Sequence, residues 1–443
     1  MKRLTRRHLL LGAAGAAAML PRLGAAAASP LEQDLRALLD DAQFPLASLS
    51  VQVHHAGRAV FAAQLGRRYI APAGGQDLPV TPDTLFRVAS ISKLLTGLGA
   101  LRLADAGKLD LDADIGTLLG FLLRNPHFPD RAITARMLMS HCSSLRDRGG
   151  VVVEAGSTVQ SFLSRPGSRS WGTEGAPGGY FQYCNLNYGL LASVMERASG
   201  QRFDRLMQAE VLGPLGMQGG FDATQLPPAQ LAQVATLYRK RSDESQGEVW
   251  NAAGPWVAQT DDFHAEAPMP VPGLAGYAPG SNGSLFGPQG RLRTRVQDLG
   301  RVLAMLAAGG VHEGGRFLQA SSVEAMFSER WRFDPAAAPA NGDNLAGEFQ
   351  AWGSGAQHFI DRSRAQWGDR LLPEGGVQAW GHLGFAYGLQ SGLMLDPGTG
   401  HGIVYVIGGH AADPDTHRGR YSSFAVWEER LHELLWRAAL RGA

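Results

Sequence analysis

The stretch Phe86-Arg87-Val88-Ala89-Ser90-Ile91-Ser92-Lys93 runs into an apolar, glycine-interrupted segment from Leu94 to Ala106. Ser90 and Lys93 stand three residues apart, so once this segment is helical they share a face and the lysine amine reaches the serine hydroxyl. That is a nucleophile beside a base. Upstream, Thr81-Pro82-Asp83-Thr84 reads as a turn, which predicts a helix beginning near Ser90 with its free backbone N–H groups and positive dipole end at the hydroxyl. Negative charge developing there would be stabilised. Ser-x-x-Lys by itself is a weak motif, but composition sharpens it. The chain has four lysines (Lys2, Lys93, Lys108, Lys240) against 37 arginines, and only Lys93 follows a serine by three residues. Arginine does not lose its proton in a protein, whereas a partly buried lysine can become a neutral base.

On either side of this segment the hydrophobic pattern fixes the fold class. Leu31, Leu35, Leu38 and Leu39 have helical spacing. Leu49, Val51 and Val53 alternate with polar neighbours up to His55-Ala56-Gly57-Arg58, and Ala59-Val60-Phe61 follows, a hairpin pattern. Near the other end Leu389 to Leu395, the turn Asp396-Pro397-Gly398-Thr399-Gly400 and Ile403 to Ile407 predict a second hairpin, followed by a helix over Trp427 to Leu440. The middle of the chain reads as mostly helical, with helices over Ile133 to Ser140 and Leu186 to Ser199, the latter ended by Gly200. It also contains long loops over 147–180 and 241–280. The expected α/β (α+β) architecture is one antiparallel sheet built from both termini and flanked by helices, with a helical subdomain inserted. Its α/β part spans about 29–88 and 281–443, and its helical part about 89–280.

With 443 residues, 44% apolar and 18% charged, the chain can bury a large core. Residues 1–28 differ from the rest. Thr5-Arg6-Arg7-His8-Leu9-Leu10, the short apolar run to Leu20 and the small residues Ala25 to Ala28 predict an export signal of twin-arginine type, and so a periplasmic or secreted protein. The remaining chain has 36 basic and 40 acidic residues. No basic patch points to nucleic acid, and no later stretch approaches the roughly 20 apolar residues of a membrane span. Cys142 and Cys184 are too few for a disulfide scaffold and lack metal-ligand spacing, though in an exported protein they can pair. No metal or cofactor is expected. A Gly-x-Ser-x-Gly elbow, a His-Glu-x-x-His helix and a Walker loop are all absent. Gly398-Thr399-Gly400-His401-Gly402 joins two strands and reads as a turn.

Two later segments complete a constellation: Phe181-Gln182-Tyr183-Cys184-Asn185-Leu186-Asn187-Tyr188-Gly189, and Trp380-Gly381-His382-Leu383-Gly384-Phe385. Ser-x-x-Lys, then Tyr-x-Asn about 90 residues on, then His-x-Gly opening a C-terminal strand, resembles the class C β-lactamase-related family of penicillin-recognising serine enzymes. These comprise β-lactamases, D-alanyl-D-alanine peptidases, D-aminopeptidases and esterases. Leu138-Met139-Ser140-His141-Cys142-Ser143-Ser144-Leu145 is similar to the family's His-Thr-Ser-Gly-Leu loop. Gly290-Arg291-Leu292-Arg293-Thr294 with Asp298-Leu299 is similar to its Gly-x-x-x-Thr and Asp-Leu segment. The resemblance implies a β-lactamase/transpeptidase-like fold with Ser90 as acylated nucleophile, and Lys93 and Tyr183 exchanging its proton and protonating the leaving group. It further implies that Asn185 orients the substrate amide. His382 and Gly384 would lie on the strand edge, and the N–H groups of Ser90 and Phe385 would form the oxyanion hole. Whether Lys93 or Tyr183 is the base stays open. The loop that carries Cys142 lies near the second motif in the family, which implies a Cys142–Cys184 disulfide, with two buried thiols as the alternative.

The third motif departs from the Lys-Thr-Gly or Lys-Ser-Gly of β-lactamases. Histidine has an ordinary pKa of about 6.5, so His382 is mostly neutral at pH 7, and Leu383 replaces a hydroxyl with apolar surface. The expectation is a serine hydrolase of small esters or amides, esterase-like, with β-lactamase or D-alanyl-D-alanine carboxypeptidase as the alternative enzyme. A catalytically silent peptide-binding or sensor domain is the non-enzyme alternative. An arginine such as Arg293 folded over the cleft would restore an anion site.

Overall fold

The computed structural model describes residues 28–241, 250–363 and 368–442, so the segment expected to be an export signal lies outside the described residues apart from its last one, Ala28. The alternation at Leu49, Val51 and Val53 folds as expected. Strand Ser48–His55 pairs with Arg58–Tyr69 on one side and with Gly402–Ile407 on the other. Both ends of the chain thereby enter one nine-stranded antiparallel sheet. Its order from one edge is Trp331–Arg332, Ala351–Trp352, Gln357–Phe359, Ala379–Ala386, Leu389–Leu395, Gly402–Ile407, Ser48–His55, Arg58–Tyr69 and Leu78–Pro79.

The pairing register puts Leu49, Val51 and Val53 beside Ile407, Tyr405 and Ile403. That face is covered by the terminal helices Pro30–Leu39 and Val426–Arg441, which contribute Leu35, Leu38, Trp427, Leu431 and Leu435 to the same core. Val404 and Val406 point the other way, into a larger core with Leu299, Val302 and Leu303 of helix Val296–Ala307 and with the central helices. The sheet is therefore buried on both faces, and even its polar positions Ser50 and His54 are covered. The Ser90 helix, Ile91–Asp105, is mostly apolar and is buried on nearly every side, its polar Ser92, Lys93 and Thr96 included. Gly99 lets the chain carrying Met195 and Met207 approach, since a Cβ there would lie 2.8 Å from the Met207 sulfur.

The long loops hold more structure than their composition suggests. Within 241–280 lies strand Trp256–Thr260, paired with Leu237–Lys240, which in turn runs parallel to Gly409–His410. Within 147–180 lies the short helix Val159–Leu163, started by a Thr158/Ser161 capping box. The helix expected over 133–140 is the shorter Ala135–Met139. Among the described residues no helix is long and apolar enough to cross a membrane.

Candidate active site

Ser90 sits in a tight corner between a short strand and the helix it opens. Strand Phe86–Arg87 pairs with Arg293–Thr294, Ala89 takes the left-handed conformation (φ 43°), and Ser90 turns back to φ −71°, ψ −8° as the helix N-cap. An alanine at positive φ is strained, and such strain collects where the fold must aim a side chain. The Ser90 side chain makes no capping bond, which leaves its hydroxyl available. Below the corner, Arg87 and Arg293 both grip the carboxylate of Asp261 with paired bonds of 2.6–3.1 Å. All three are buried, and the two cations hold the Asp261 carboxyl well below the usual carboxylate range. Arg293 is thus committed beneath the site and does not fold over the cleft.

Lys93 is 0% exposed, and its Nζ donates to Ser90 Oγ (2.9 Å), Asn185 Oδ1 (2.8 Å) and the Gln289 carbonyl (3.0 Å). Burial lowers its pKa to about 7, against the opposing pull of Asp147 and Cys184. Tyr183 lies with its ring centroid 4.8 Å from that nitrogen. Burial pushes the Tyr183 phenol well above its usual value, and the hydrogen bond with Ser90 only partly offsets this. Asn185 opens helix Leu186–Ser199. Asp147 Oδ2 accepts from its backbone N–H and its amide Nδ2, both at 2.9 Å, which turns Asn185 Oδ1 towards Lys93. The other Asp147 oxygen accepts from Leu186 N–H, so this one carboxylate caps the helix and orients the amide. One amide N–H of Asn185 is taken by Asp147, and the second has no partner among the described residues.

The third wall is strand Ala379–Ala386. Gln357–Phe359 covers one of its edges only as far as Gly381, so residues 382–386 present an open edge to the cleft while Leu389–Leu395 pairs with the other. Gly384 touches the Ser90 corner: a Cβ there would lie 2.6 Å from the Val88 carbonyl and 3.1 Å from Ser90 N. Next to it Phe385 is 52% exposed at the mouth. His382 is buried. Its Nδ1–H donates to the Leu383 carbonyl at 2.6 Å, and burial lowers its pKa to about 3, so it is neutral across the physiological range. Ser90, Tyr183, Asn185, His382, Gly384 and Phe385 all line one cavity of about 550 Å³. Lys93 lies behind them, reaching it through Ser90. Among the described residues no three His, Cys, Asp or Glu side chains converge as a metal would require.

The beta-lactamase family model matches residues 31–424. The chain belongs to the beta-lactamase family. With it the protein joins the penicillin-recognising serine hydrolases, the group its motifs resemble. It is 24% identical to penicillin-binding protein 4 of Amycolatopsis lactamdurans over 332 residues, which cover 74% of this chain and 72% of that one. It is 34% identical to esterase EstB of Burkholderia gladioli over 157 residues, 32% of this chain and 39% of the relative. Alignments with the D-aminopeptidase of Gluconobacter oxydans and the carboxypeptidase/endopeptidase AmpH of Escherichia coli cover only 26% and 46% of those proteins. In fold it is similar to the D-amino acid amidase of Ochrobactrum anthropi SV3, with a TM-score of 0.64 at 19% identity over 93% of this chain and 99% of the amidase.

Within this family framework the cysteine expectation needs correction. Cys142 and Cys184 are both buried free thiols. Their sulfurs face different partners, the Ser140 carbonyl for Cys142 and Asp147 Oδ1 for Cys184 (3.2 Å), and they sit in separate apolar clusters. The loop bearing Cys142 does pack on the second motif, but through hydrogen bonds. Cys184 N–H donates to His141 Nδ1, Gln182 N–H donates to the His141 carbonyl, and Gly178 N–H to the Cys142 carbonyl. Sequence reading missed Asp147, which lay unmarked at the start of a glycine-rich loop. It also missed the carboxylates Glu348, Asp415 and Glu428 of the cavity wall.

Proposed function

We propose that the protein is an exported serine hydrolase that forms an acyl-enzyme at Ser90 and cleaves small esters or amides, esters in preference to β-lactams and C-terminal D-alanine peptides. The observation that carries this reading is Lys93: an amine of pKa about 7, 2.9 Å from a serine hydroxyl that opens onto a cavity. Serine needs a neighbour to take its proton before it can attack a carbonyl, and this lysine is neutral in part at pH 7. Lys93 takes the Oγ proton as the Oγ–C bond forms, and the carbonyl π electrons move onto oxygen between the N–H groups of Ser90 and Phe385. The proton then passes by way of Tyr183 to the leaving group, whose bond breaks. Water repeats the sequence to free the acid. Tyr183 serves here as a phenol in a relay, because a phenolate is disfavoured in its buried setting. Asn185 holds the lysine.

The substrate preference rests on the third motif. With His382 neutral, Leu383 apolar, Arg293 tied to Asp261 and Arg418 tied to Asp415 at 2.8 Å, the described residues offer the cavity no uncommitted cation for a substrate carboxylate. Measuring kcat/KM for p-nitrophenyl butyrate, nitrocefin and a D-Ala-D-Ala peptide side by side tests this. The ester should lead by tenfold or more at pH 8. A tenfold lead for nitrocefin or the peptide would overturn the preference.

A further inference from the structure

The wall of the cavity facing Ser90 is rich in acceptors and poor in donors. Glu348, Asp415 and Glu428 line it with Arg418 as the only cationic side chain among the described residues, and Arg418 is bound to Asp415 and to the Ser423 carbonyl. Glu428 accepts from Tyr405 OH (2.6 Å) and Gln390 Nε2 (3.1 Å). Among the described residues the Glu348 carboxylate has only the longer-range field of Arg418 to oppose its desolvation, and the nearby charge of Asp415 works against it. Two uncharged groups in the same wall repeat the pattern. Gln357 is 0% exposed, and its Nε2 donates to the Glu348 backbone carbonyl (3.0 Å) while its Oε1 has no partner. His382, 1% exposed, donates from Nδ1, so its unpartnered Nε2 is a bare lone pair. Phe349, the residue after Glu348, stacks on Tyr183 with centroids 5.0 Å apart, which sets this wall beside the reacting groups.

Buried acceptors without donors are costly unless a ligand supplies the donors. A protonated amine carries three donors and the missing positive charge. We propose that this wall recognises a protonated amine on the substrate, with Glu348 as counter-ion and the Gln357 carbonyl beside it, so that the preferred substrates are amino-bearing acyl esters or amides. This rests on the hydrolase reading above and narrows it. Burial holds Glu348 and Glu428 up at about 7, the direction expected of carboxylates that lack a counter-ion of their own.

The test compares p-nitroanilides that differ by a single group: butyryl, 3-aminopropionyl, which replaces the terminal methyl with an ammonium, and 2-aminobutyryl. At least one amine should exceed the butyryl anilide in kcat/KM by tenfold or more at pH 7.5. Glu348→Gln, nearly isosteric, should cut that ratio to threefold or less, and Glu348→Asp should retain part of it. In parallel, calorimetric binding of 3-aminopropionamide against butyramide reads recognition without turnover and should show the same loss in Glu348→Gln. Hydrolysis of p-nitrophenyl butyrate, abolished by Ser90→Ala, checks the hydrolase reading separately, and its failure would leave the binding arm to decide. An amine that gains nothing over the methyl in rate and binding, or an advantage that survives Glu348→Gln, would overturn the proposal.

Discussion

Lys93 must be buried to be a base and hydrogen-bonded to survive burial, and its three acceptors meet both demands. The expected outcome is a kcat/KM that rises through an inflection near pH 7 as the amine loses its proton. A profile flat from pH 6 to 9 would remove Lys93 from that role. Lys93→Arg keeps the charge but not the titration, and should cost at least ~100-fold, the scale of a general base. Asp147 is a positioning residue: it turns Asn185 towards Lys93, and its negative charge holds the lysine pKa up. Asp147→Asn should therefore lower kcat and move the inflection to lower pH, a shift that a merely structural role would not produce. Ser90 and Lys93 were legible because a serine nucleophile needs a titratable base within reach, and Tyr183 and Asn185 because their order after that pair resembles the family's motifs. Asp147 was not, since half of its carboxylate's partners are main-chain N–H groups, which leave no trace in a sequence, and the other half come from Cys184 and Asn185 far along the chain. The Cys142–Cys184 pairing failed for a related reason: sequence nearness to one motif says nothing of where two sulfurs point.

Elements bring these residues within reach of one another. The strand through Gly384 presses on the Ser90 corner so closely that Gly384→Ala must push it away from the Val88 carbonyl and Ser90 N. We expect a loss of at least ~10-fold in kcat with far-UV circular dichroism unchanged, the ordinary penalty for misplacing an oxyanion donor. The strand pair beneath the corner depends on Asp261. Asp261→Ala would strand two buried guanidinium groups and should destabilise by about 3–5 kcal/mol, measurable by urea denaturation. A loss below 1 kcal/mol would mean water reaches those arginines. The long elements announced themselves: the terminal helices, both hairpins and the helix ended by Gly200 follow from periodicity and caps. Strand Trp256–Thr260 did not, because it is half-exposed, mixes Gln and Thr with its apolar residues, and owes its existence to pairing with Leu237–Lys240 rather than to local preference.

At the scale of the whole molecule, burial on both sheet faces captures many titratable groups. His54, His141, His358, His382, His410 and His432 are all held neutral, their pKa values pushed down by burial. Below about pH 6.5 the unfolded chain takes up protons that these six refuse when folded, which favours unfolding. Glu348, Glu428 and Asp369 act oppositely. Their pKa values are raised to about 7, 7 and 6, so on acidification the folded state binds protons first. Six against three gives a net loss, and Tm should fall steadily from pH 7 to pH 5. A Tm that rises over that interval would show the carboxylates dominate. The overall plan was legible because both chain ends carry hairpin patterns and three ordered motifs frame them. The acidic wall of the cavity was not, because Glu348, Asp415 and Glu428 come from separate loops and the last helix and meet only in the folded chain. The central claim, a Lys93-activated nucleophile at Ser90, is tested most directly by treating the protein with a fluorophosphonate and mapping the adduct by mass spectrometry across pH 6 to 9. The account predicts one adduct, on the peptide containing Ser90, forming faster as pH rises through 7 and far more slowly in Lys93→Arg. A folded protein that takes up no label at Ser90 at any of these pH values would contradict it.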